Sequence, residues 1–356
     1  MLYSQRQEAI LAAIRKHGAI EVTEISVELN VSQMTVRRDI NLLAEKGLVV
    51  RIHGGATLPS PKASAGTRAG DAAMAHDRAG HLVLGMVVPA ATHYHRQLIQ
   101  GARAAAEALG VRLSLGVSCY DLDEDRVQAE RLLDNGVDGL LLTPSTPLGE
   151  ASGALGWMNR LPVPVTVVER RRDPRAGLDH ADYISSDHEQ GALIAARHLH
   201  ALGHRRIALL SCPTPTSDWI ARGLDTASDV FGLSRGVPRV LDHAHGDTAR
   251  VETFLDEVVA SRVTAVLVHP DDQAILLVES AQGRGLTVPG DLAVVAYDDD
   301  IAGLASVPLT AVEPPRHAVG SAAVRLLVQR LRKSAAHVPQ QTLLTPRVNV
   351  RASTAP

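Results

Sequence analysis

Two kinds of hydrophobic pattern divide the chain. From His81 onward, short apolar runs of strand length alternate with stretches whose apolar residues recur at helical spacing. The runs are LVLGMVVP, VRLSLGV, DGLLLTP, VPVTVVE, RRIALLS, TAVLVHP and LAVVAYD, and the helical stretches include residues 97–109, 126–133, 191–202 and 274–282. Apolar strands that alternate with such helices predict parallel βαβ units covered on both faces. Because one open sheet rarely holds so long a stretch, residues 81–356 are expected to form two α/β lobes.

The N-terminal pattern differs, because its apolar residues recur at helical spacing over three short segments. The third predicted helix begins at the N-cap residue Ser32 and buries Val36, Ile40 and Leu43 on one face. After it, residues 48–55 predict a short hairpin. The buried positions of the first two helices are Ile10, Leu11, Ile14, Ile25 and Leu29.

A third stretch, residues 59–80, has neither pattern. Its sequence, PSPKASAGTRAGDAAMAHDRAG, is rich in Pro, Gly, Ala, Ser and charge and has no apolar period. Such a composition predicts a flexible linker. The chain is therefore divided into a small helical domain over residues 1–58, a linker over 59–80, and a larger α/β domain over 81–356.

Composition excludes several classes of protein. Of the 356 residues, 45% are hydrophobic, which is incompatible with a mainly disordered chain, and the formal net charge of −3 argues against a protein that coats nucleic acid. A small DNA-reading domain on a larger neutral body remains compatible with that charge. The N-terminus has no apolar signal core and no apolar run is long enough for a membrane helix, so we expect a cytoplasmic protein without membrane contact.

Catalytic and metal-binding motifs are not evident. Cys119 and Cys212 stand far apart, which excludes a zinc ribbon and disfavours a disulfide framework. Two histidine pairs have a spacing that can place both side chains on one side of a strand, but without a nearby third ligand we interpret them as solvated loop residues. These pairs are His93 with His95 and His243 with His245. No nucleophile is paired with a base and no phosphate-cradling glycine motif occurs. We therefore expect no enzyme, no metal and no cofactor.

The third N-terminal helix presents a polar and cationic face that suits the major groove of DNA. A projection at about 100° per residue places Met34, Arg38 and Asn41 opposite the buried face, with Gln33, Thr35 and Arg37 on the flanks. Adjacent Arg37 and Arg38 diverge, so one can contact base edges and the other backbone phosphate. Periodicity alone also allows an ordinary three-helix domain with a solvated charged face.

Family resemblance separates these alternatives. The segment VSQMTVRRDINLLAEKGLVVRIHGGATL resembles the DNA-binding domain of the DeoR family, without a gap from Gln5 to Leu58, and T-V-R-R-D-I and R-x-H-G-G-A are specific to that family. The resemblance implies an α+β winged helix-turn-helix with a recognition helix at about residues 32–46 and a wing at about 48–56. The expected DNA contacts are Ser32, Gln33, Met34, Thr35, Arg37, Arg38, Asn41, Arg51, His53 and Gly54.

The larger domain resembles a different family. Six segments are similar, in the same order, to the effector domain of LacI-family regulators, which is related to periplasmic sugar-binding proteins. These segments are LGMVVP, DNGVDGLLLTPS, HLHALGHRRIALL, GLTVPGDLAVVAYDDD, the PLTAV run and TLLTPRVNVRAST. The resemblance implies two doubly wound α/β lobes joined by three crossovers, with a ligand in the cleft between them. Most DeoR-type heads instead precede a domain that resembles sugar-phosphate isomerases.

Polar residues that follow the predicted strands indicate a polar ligand. Carboxylates can accept hydroxyl hydrogen bonds and an aromatic ring can stack on a sugar. Acids in such positions can also simply cap the next helix, which is our interpretation of Asp272 and Asp299. Asp187 and Asp298 match family positions that hold sugar. The candidate effector residues are Tyr94, His95, Asp187, Trp219, Arg222, Asp271 and Asp298.

Three departures from the family pattern bear on the ligand. Ile220 occupies the place of a ligand-binding Arg, Pro270 that of an Asn, and Pro314 that of a Gln. A pocket without these three groups cannot bind a simple hexose in the usual way. It could hold a less polar or a cationic metabolite, since several acids remain, or it could have lost control by small molecules.

The sequence therefore predicts a regulator that binds a double-stranded DNA operator as a homodimer or tetramer and responds to a sugar or related metabolite. Its expected role is repression of a carbohydrate or related catabolic or transport operon. One alternative is a regulator controlled by a protein partner through a vestigial pocket. The other is a plain small-molecule-binding or transport-type protein whose head serves assembly.

Overall fold

The computed structural model of the protein describes a defined part of the chain. The described residues are 9–14, 19–21, 25–26, 36, 43, 49–52, 55–57, 82–91, 94–145, 156–171, 178, 180–333 and 337–355. They fall into two compact units, Met1–Gly80 and His81–Pro356.

The first unit contains a small antiparallel sheet beside helical segments. Strand β1 (Ala19–Glu21) pairs with β3 (Gly55–Thr57), and β3 pairs with β2 (Val50–Ile52), which gives the order β1-β3-β2. The predicted hairpin is thus present as β2 and β3. Strand β1 was not predicted, because three residues are too few to show an alternating pattern.

The core of the first unit contains most of the described apolar positions expected from helical spacing, but Leu11 is only partly buried, and Ile20 and Val49 were not among the expected positions. Residues 9–14 are helical, and the buried hydrophobic side chains are Ile10, Ile14, Ile20, Ile25, Val36, Leu43 and Val49. The predicted positions Leu29, Ser32 and Ile40, most of the third helix, and the linker over 59–80 lie outside the described residues.

The second unit alternates strands and helices as the apolar runs predicted. In chain order its elements are β4 (Val83–Val88), α1 (Tyr94–Leu109), β5 (Arg112–Val117), α2 (Leu122–Asp134), β6 (Gly139–Leu142), β7 (Val165–Val168), β8 (Asp182–Ser186), α3 (His188–Ala201), β9 (Ile207–Ser211), α4 (Ser217–Phe231), β10 (Arg239–Val240), α5 (Thr248–Ala260), β11 (Ala265–His269), α6 (Asp271–Gly283), β12 (Ala293–Tyr297), β13 (Thr310–Glu313), α7 (Arg316–Lys333), β14 (Gln341–Leu344) and β15 (Arg347–Asn349). Short 3-10 turns occur at Met158–Arg160 and Ala302–Leu304.

Two six-stranded sheets define an N-lobe and a C-lobe. The N-lobe sheet has the order β14-β8-β7-β6-β4-β5, and the C-lobe sheet has the order β10-β9-β11-β12-β13-β15. All strand pairs in the two sheets are parallel except β13 with β15. The chain passes between lobes after β8, after β13 and after β14. The predicted two-lobed α/β fold with three crossovers is therefore confirmed.

Burial of the central strands explains why they form. Every residue of β6, β7, β8, β9, β11 and β12 is buried, as expected for parallel strands covered by helices on both faces. Helices α3, α4 and α6 begin shortly after β8, β9 and β11. Their first residues are therefore placed at the carboxyl ends of the sheets, where open α/β folds bind ligands.

Two glycines bring α1 and α7 unusually close. A Cβ atom added to Gly101 would overlap the carbonyl oxygen of His317, and one added to Gly320 would overlap the carbonyl oxygen of Leu98. The helices pack backbone to backbone at these two positions. This contact fixes the position of the start of α1, with Tyr94 and His95, relative to the start of α7, with Arg316.

Candidate ligand-binding cleft

Polar residues that follow strands of both sheets meet between the two lobes. Glu169, which follows β7 in the N-lobe, lies 3.7 Å from His188 at the start of α3 in the C-lobe. The His188 ring is also 3.2 Å from the hydroxyl of Tyr297, at the end of β12. The Arg316 guanidinium lies 5.0 Å from the ring centroid of Tyr94. These contacts define a cleft with walls from both lobes.

Asp298 is the acidic residue at the centre of the C-lobe wall. It is 8% exposed, and its Oδ2 lies 3.5 Å from Nε2 of His269, whereas Oδ1 has no hydrogen-bond partner among the described residues. Burial by itself raises the pKa of this carboxyl, but His269 and Arg316 outweigh it, so the pKa lies below its usual value and the group is ionised. A buried carboxylate oxygen is thus available to accept hydrogen bonds from a ligand.

The backbone around Asp298 has an uncommon conformation. Its φ is 98° and that of Asp299 is 56°, a left-handed pair of residues without a glycine. Such conformations cost about 1–3 kcal/mol each and concentrate at functional sites. Glu169 (φ 53°), Cys119 (φ 55°) and Tyr120 (φ 62°), which follow strands of the N-lobe, share this feature. Backbone strain therefore occurs at strand ends in both lobes.

Tyr94, His95 and Arg316 come together at the starts of α1 and α7. His95 is 4% exposed, and its Nδ1 has no partner among the described residues. The interpretation of His95 and His243 as solvated loop residues was wrong, because His95 lies in α1 and both side chains are buried. Burial, reinforced by the Arg170 charge, lowers the pKa of His95 to about 4, so the ring is neutral at physiological pH. Arg316, fully buried, donates to the carbonyl oxygen of Asp298 at 2.8 Å and pairs with Asp300 at 2.8 Å.

Sequence reasoning missed three charged residues of the cleft, namely Arg316, Glu169 and Arg170. Glu169 accepts hydrogen bonds from Ser186, at 2.8 Å from its Oγ and 3.2 Å from its backbone N–H. Burial raises the Glu169 pKa, but His188 and these hydrogen bonds outweigh burial, so the pKa lies below its usual value. Arg170 donates to the carbonyl oxygens of Pro144 and Glu169, at 2.7 and 2.8 Å. Glu169 and Arg170 directly follow the VTVV strand, and this position could have identified them as candidate ligand-binding residues.

The other four predicted effector residues have different partners. Asp187 caps α3 through the backbone N–H of Gln190, at 3.1 Å. Asp271 accepts from the backbone N–H groups of Ile301 and Ala302, at 2.7 and 3.1 Å. Burial, reinforced by the charges of Asp298 and Asp300, raises the pKa of Asp271 to about 6. The Trp219 ring lies 4.3 Å from the Arg171 guanidinium and 4.7 Å from that of Arg222.

Three further residues singled out in the sequence are Asp299, Asp272 and Ile220. Asp299 does not cap a helix, because its carboxylate pairs with Arg351 at 2.7 Å. Asp272 is the second residue of α6 and pairs with His245 at 2.5 Å. Ile220 is fully buried in the C-lobe core, which explains an apolar residue there.

Of the predicted DNA contacts, the structure places Arg51 in β2. The other nine lie outside the described residues: Ser32, Gln33, Met34, Thr35, Arg37, Arg38, Asn41, His53 and Gly54.

The described ranges contain neither a metal cluster nor a membrane-spanning helix. Within them, His, Cys, Asp and Glu side chains do not form a group of three able to hold a metal ion. In the same ranges, no helix combines the length and apolar character needed to cross a membrane.

Two parts of the chain match known domain families. Residues 6–62 match the DeoR-like helix-turn-helix domain, and residues 196–354 match the periplasmic binding protein-like domain. The arabinose metabolism transcriptional repressor of Geobacillus stearothermophilus is 26% identical over 348 residues, which cover 93% of this chain and 90% of that protein. The transcriptional repressor PurR of Photobacterium profundum is 26% identical over 275 residues, 76% of this chain and 80% of that protein.

A solved structure has the same fold as the larger unit. A protein described as a putative transcriptional regulator of the LacI family, from Sanguibacter keddieii, superposes with a TM-score of 0.63 at 26% identity. The match covers 77% of this chain and 98% of that one.

These domains and relatives define the class: the chain is a DNA-binding transcriptional regulator of the ligand-responsive type. More particularly, it combines a DeoR-like helix-turn-helix head with a two-lobed periplasmic-binding-protein-like body. The relatives compared are transcriptional repressors rather than enzymes.

Proposed function

We propose that this protein is a repressor whose body binds a neutral polyhydroxylated ligand of the sugar class in the cleft, and whose head then releases its operator. One observation supports this class of ligand. The cleft contains a buried, ionised acceptor at Asp298 Oδ1 and a buried ring nitrogen at His95 Nδ1, both without partners among the described residues. A ligand hydroxyl can donate a hydrogen bond to Asp298 Oδ1, and another hydroxyl can form a hydrogen bond with His95 Nδ1.

The charges of the cleft favour a neutral ligand over a cation. Asp298 faces the charge of Arg316, and Glu169 faces that of Arg170, so each acid at the centre of the cleft has a buried guanidinium nearby. Asp299 pairs with Arg351, and Asp300 shares the Arg316 guanidinium with Asp298. A cationic ligand would bury another positive charge beside the guanidiniums of Arg170 and Arg316, which are themselves buried.

Recognition of the ligand would rest on Tyr94, His95, Asp298 and Arg316. Tyr94 offers a ring face for stacking on a sugar. The Asp298 carboxylate provides hydrogen-bond acceptors, the Arg316 guanidinium provides donors, and the neutral His95 ring has one nitrogen of each kind. Arabinose, which appears in the name of the Geobacillus stearothermophilus relative, is a member of the proposed ligand class. The regulated genes would then be those of carbohydrate uptake or breakdown.

The head would read the operator in the way its sequence predicts. The proposed base and phosphate contacts are Ser32, Gln33, Met34, Thr35, Arg37, Arg38, Asn41, Arg51, His53 and Gly54, and the protein would act in the cytoplasm as a homodimer. Closure of the lobes on the ligand would change the spacing of two heads relative to their half-sites.

The test combines DNA binding with a ligand screen on the full chain. A pool of random duplexes selected on the protein supplies the operator, and dissociation of that duplex is then followed with L-arabinose, D-xylose, D-ribose, D-glucose, D-galactose and maltose. At least one of these sugars is expected to release the duplex. Failure of all six sugars to release the duplex would contradict the neutral ligand.

A further inference from the structure

We propose that Arg171, Glu189 and Trp219 form a clasp that holds the two lobes in the closed arrangement without touching the ligand. Arg171 follows β7 in the N-lobe, whereas Glu189 is in α3 and Trp219 in α4 of the C-lobe. The clasp therefore joins residues from opposite sides of the cleft. Its consequence for ligand affinity rests on the proposed function, but its existence does not.

One guanidinium makes both contacts of the clasp. Arg171 Nη1 lies 2.6 Å from Oε2 of Glu189, and its guanidinium carbon lies 4.3 Å from the centroid of the Trp219 ring. A planar guanidinium can donate in its plane while its face covers an aromatic ring. Lysine cannot do both in the same way. The arrangement therefore depends on an arginine at this position.

The C-lobe side of the clasp is rigid because α3 and α4 pack closely. A Cβ atom added to Gly223 would overlap the carbonyl oxygen of Glu189, so the two helices approach backbone to backbone there. Trp219 lies one turn before Gly223 on α4, which places its ring beside the start of α3. Arg222, on the same helix, lies 4.7 Å from that ring and adds a second guanidinium within one lobe.

Partial exposure makes the clasp reversible. The side chains of Arg171 and Glu189 are each 32% exposed, and they border a cavity of about 210 Å³ together with Asp187 and Thr226. Both charges can return to water when the lobes separate, so opening leaves no buried unpaired charge. The neighbouring Glu169–His188 contact is different, with side chains 1% and 6% exposed. Of these two cross-lobe contacts, the clasp is the one suited to repeated opening.

A clasp of this kind raises the population of closed molecules before any ligand arrives. Because the apparent affinity of a ligand scales with the fraction of competent molecules, loss of the clasp weakens ligand binding without removing a ligand contact. Trp219 would then act as a positioning residue rather than as the stacking surface for a sugar.

The first experiment needs no ligand. In a Trp157→Phe background, Trp219 is the one tryptophan left in the chain. Acrylamide quenching of its fluorescence therefore measures how accessible its ring is to the quencher. Arg171→Ala is expected to increase quenching, and Arg126→Ala, which removes an exposed N-lobe ion pair with Glu130, is expected to leave it unchanged. Equal quenching in the Trp157→Phe parent and in its Arg171→Ala derivative would overturn the clasp.

The second experiment measures sugar affinity in the full chain by calorimetry, with whichever of L-arabinose, D-xylose, D-ribose, D-glucose, D-galactose and maltose binds the wild type. Arg171→Ala and Trp219→Leu are each expected to weaken binding about tenfold. Arg171→Lys should lie between the wild type and Arg171→Ala. If none of the sugars binds, the proposed function fails while the quenching result still decides the clasp.

A double variant separates the clasp from direct contact with the ligand. Because both substitutions break one clasp, Arg171→Ala with Trp219→Leu should bind no more weakly than either single variant. A further loss in the double variant would mean that the Trp219 ring itself touches the sugar, and would overturn the proposal.

Discussion

Replacing Gly101 by alanine tests whether the α1–α7 contact supports the ligand site. The new Cβ would lie well under 3.0 Å from the carbonyl oxygen of His317, closer than real Cβ atoms come. The obstacle is main chain in the neighbouring helix, which cannot rotate away as a side chain can. The two helices must therefore separate.

The magnitude follows from two opposed effects. Overpacking of this severity falls at the upper end of the usual range, about 3 kcal/mol, whereas alanine in place of a helical glycine contributes about 1 kcal/mol of stability. The net loss is about 2 kcal/mol, which lowers the Tm by roughly 3–4 °C in a domain of this size. Because Tyr94 and Arg316 begin the two helices, sugar affinity should fall as well.

Thermal unfolding followed by circular dichroism measures this loss, and Gly283→Ala is the matched control. Gly283 ends α6, and a Cβ atom there meets nothing within 4 Å. The control should be as stable as the wild type or slightly more stable. A Gly101→Ala variant with an unchanged or raised Tm would refute the close contact.

Three other variants test the buried Asp182 network, the ionisation of Asp271 and the DNA contacts of the head. Asp182 is fully buried and accepts from Arg330 and His337, so Asp182→Ala should cost about 3–5 kcal/mol in urea unfolding, and a loss below 1 kcal/mol would contradict the network. Burial raises the pKa of Asp271 from 3.8 to about 6, so its ionisation destabilises the fold as pH rises through this window. Asp271→Asn should therefore add up to about 3 kcal/mol at pH 7.5 and nothing below pH 3.8, whereas an equal effect at both pH values would refute this cause. Arg37→Ala with Arg38→Ala should abolish operator binding in a gel-shift assay while leaving the Tm unchanged; retained affinity would remove these residues from the interface.

The sequence predicted the parts of this protein that depend on local pattern. Fully buried strands appear as uninterrupted apolar runs, and their alternation with helical stretches predicted the two lobes. Asp298 was identified because it directly follows a buried strand, at the ligand-binding edge of the sheet, and because the resemblance to LacI-family effector domains implies a sugar-binding residue at its position. Strand β1 was missed because three residues are too few to show the alternation of apolar and polar positions that predicts a strand.

Residues whose roles depend on distant contacts could not be found in this way. Arg316 enters the cleft only because Gly101 and Gly320 let α7 pack closely on α1. Trp219 was predicted to contact the effector, but its ring lies beside Arg171, 48 positions earlier in the chain and in the other lobe. Spacing along the sequence carries no information about such pairs.

The central claim is that the cleft binds a neutral sugar through Asp298. The most direct measurement is the Tm of the full chain with and without each sugar of the panel, for the wild type, Asp298→Asn, and the surface control Asp229→Asn. A sugar at about 100 times its Kd adds roughly 2.7 kcal/mol, enough to raise the Tm by several degrees. The account predicts this rise in the wild type and the control and its loss in Asp298→Asn. A rise that persists in Asp298→Asn, or no rise with any neutral sugar, would contradict it.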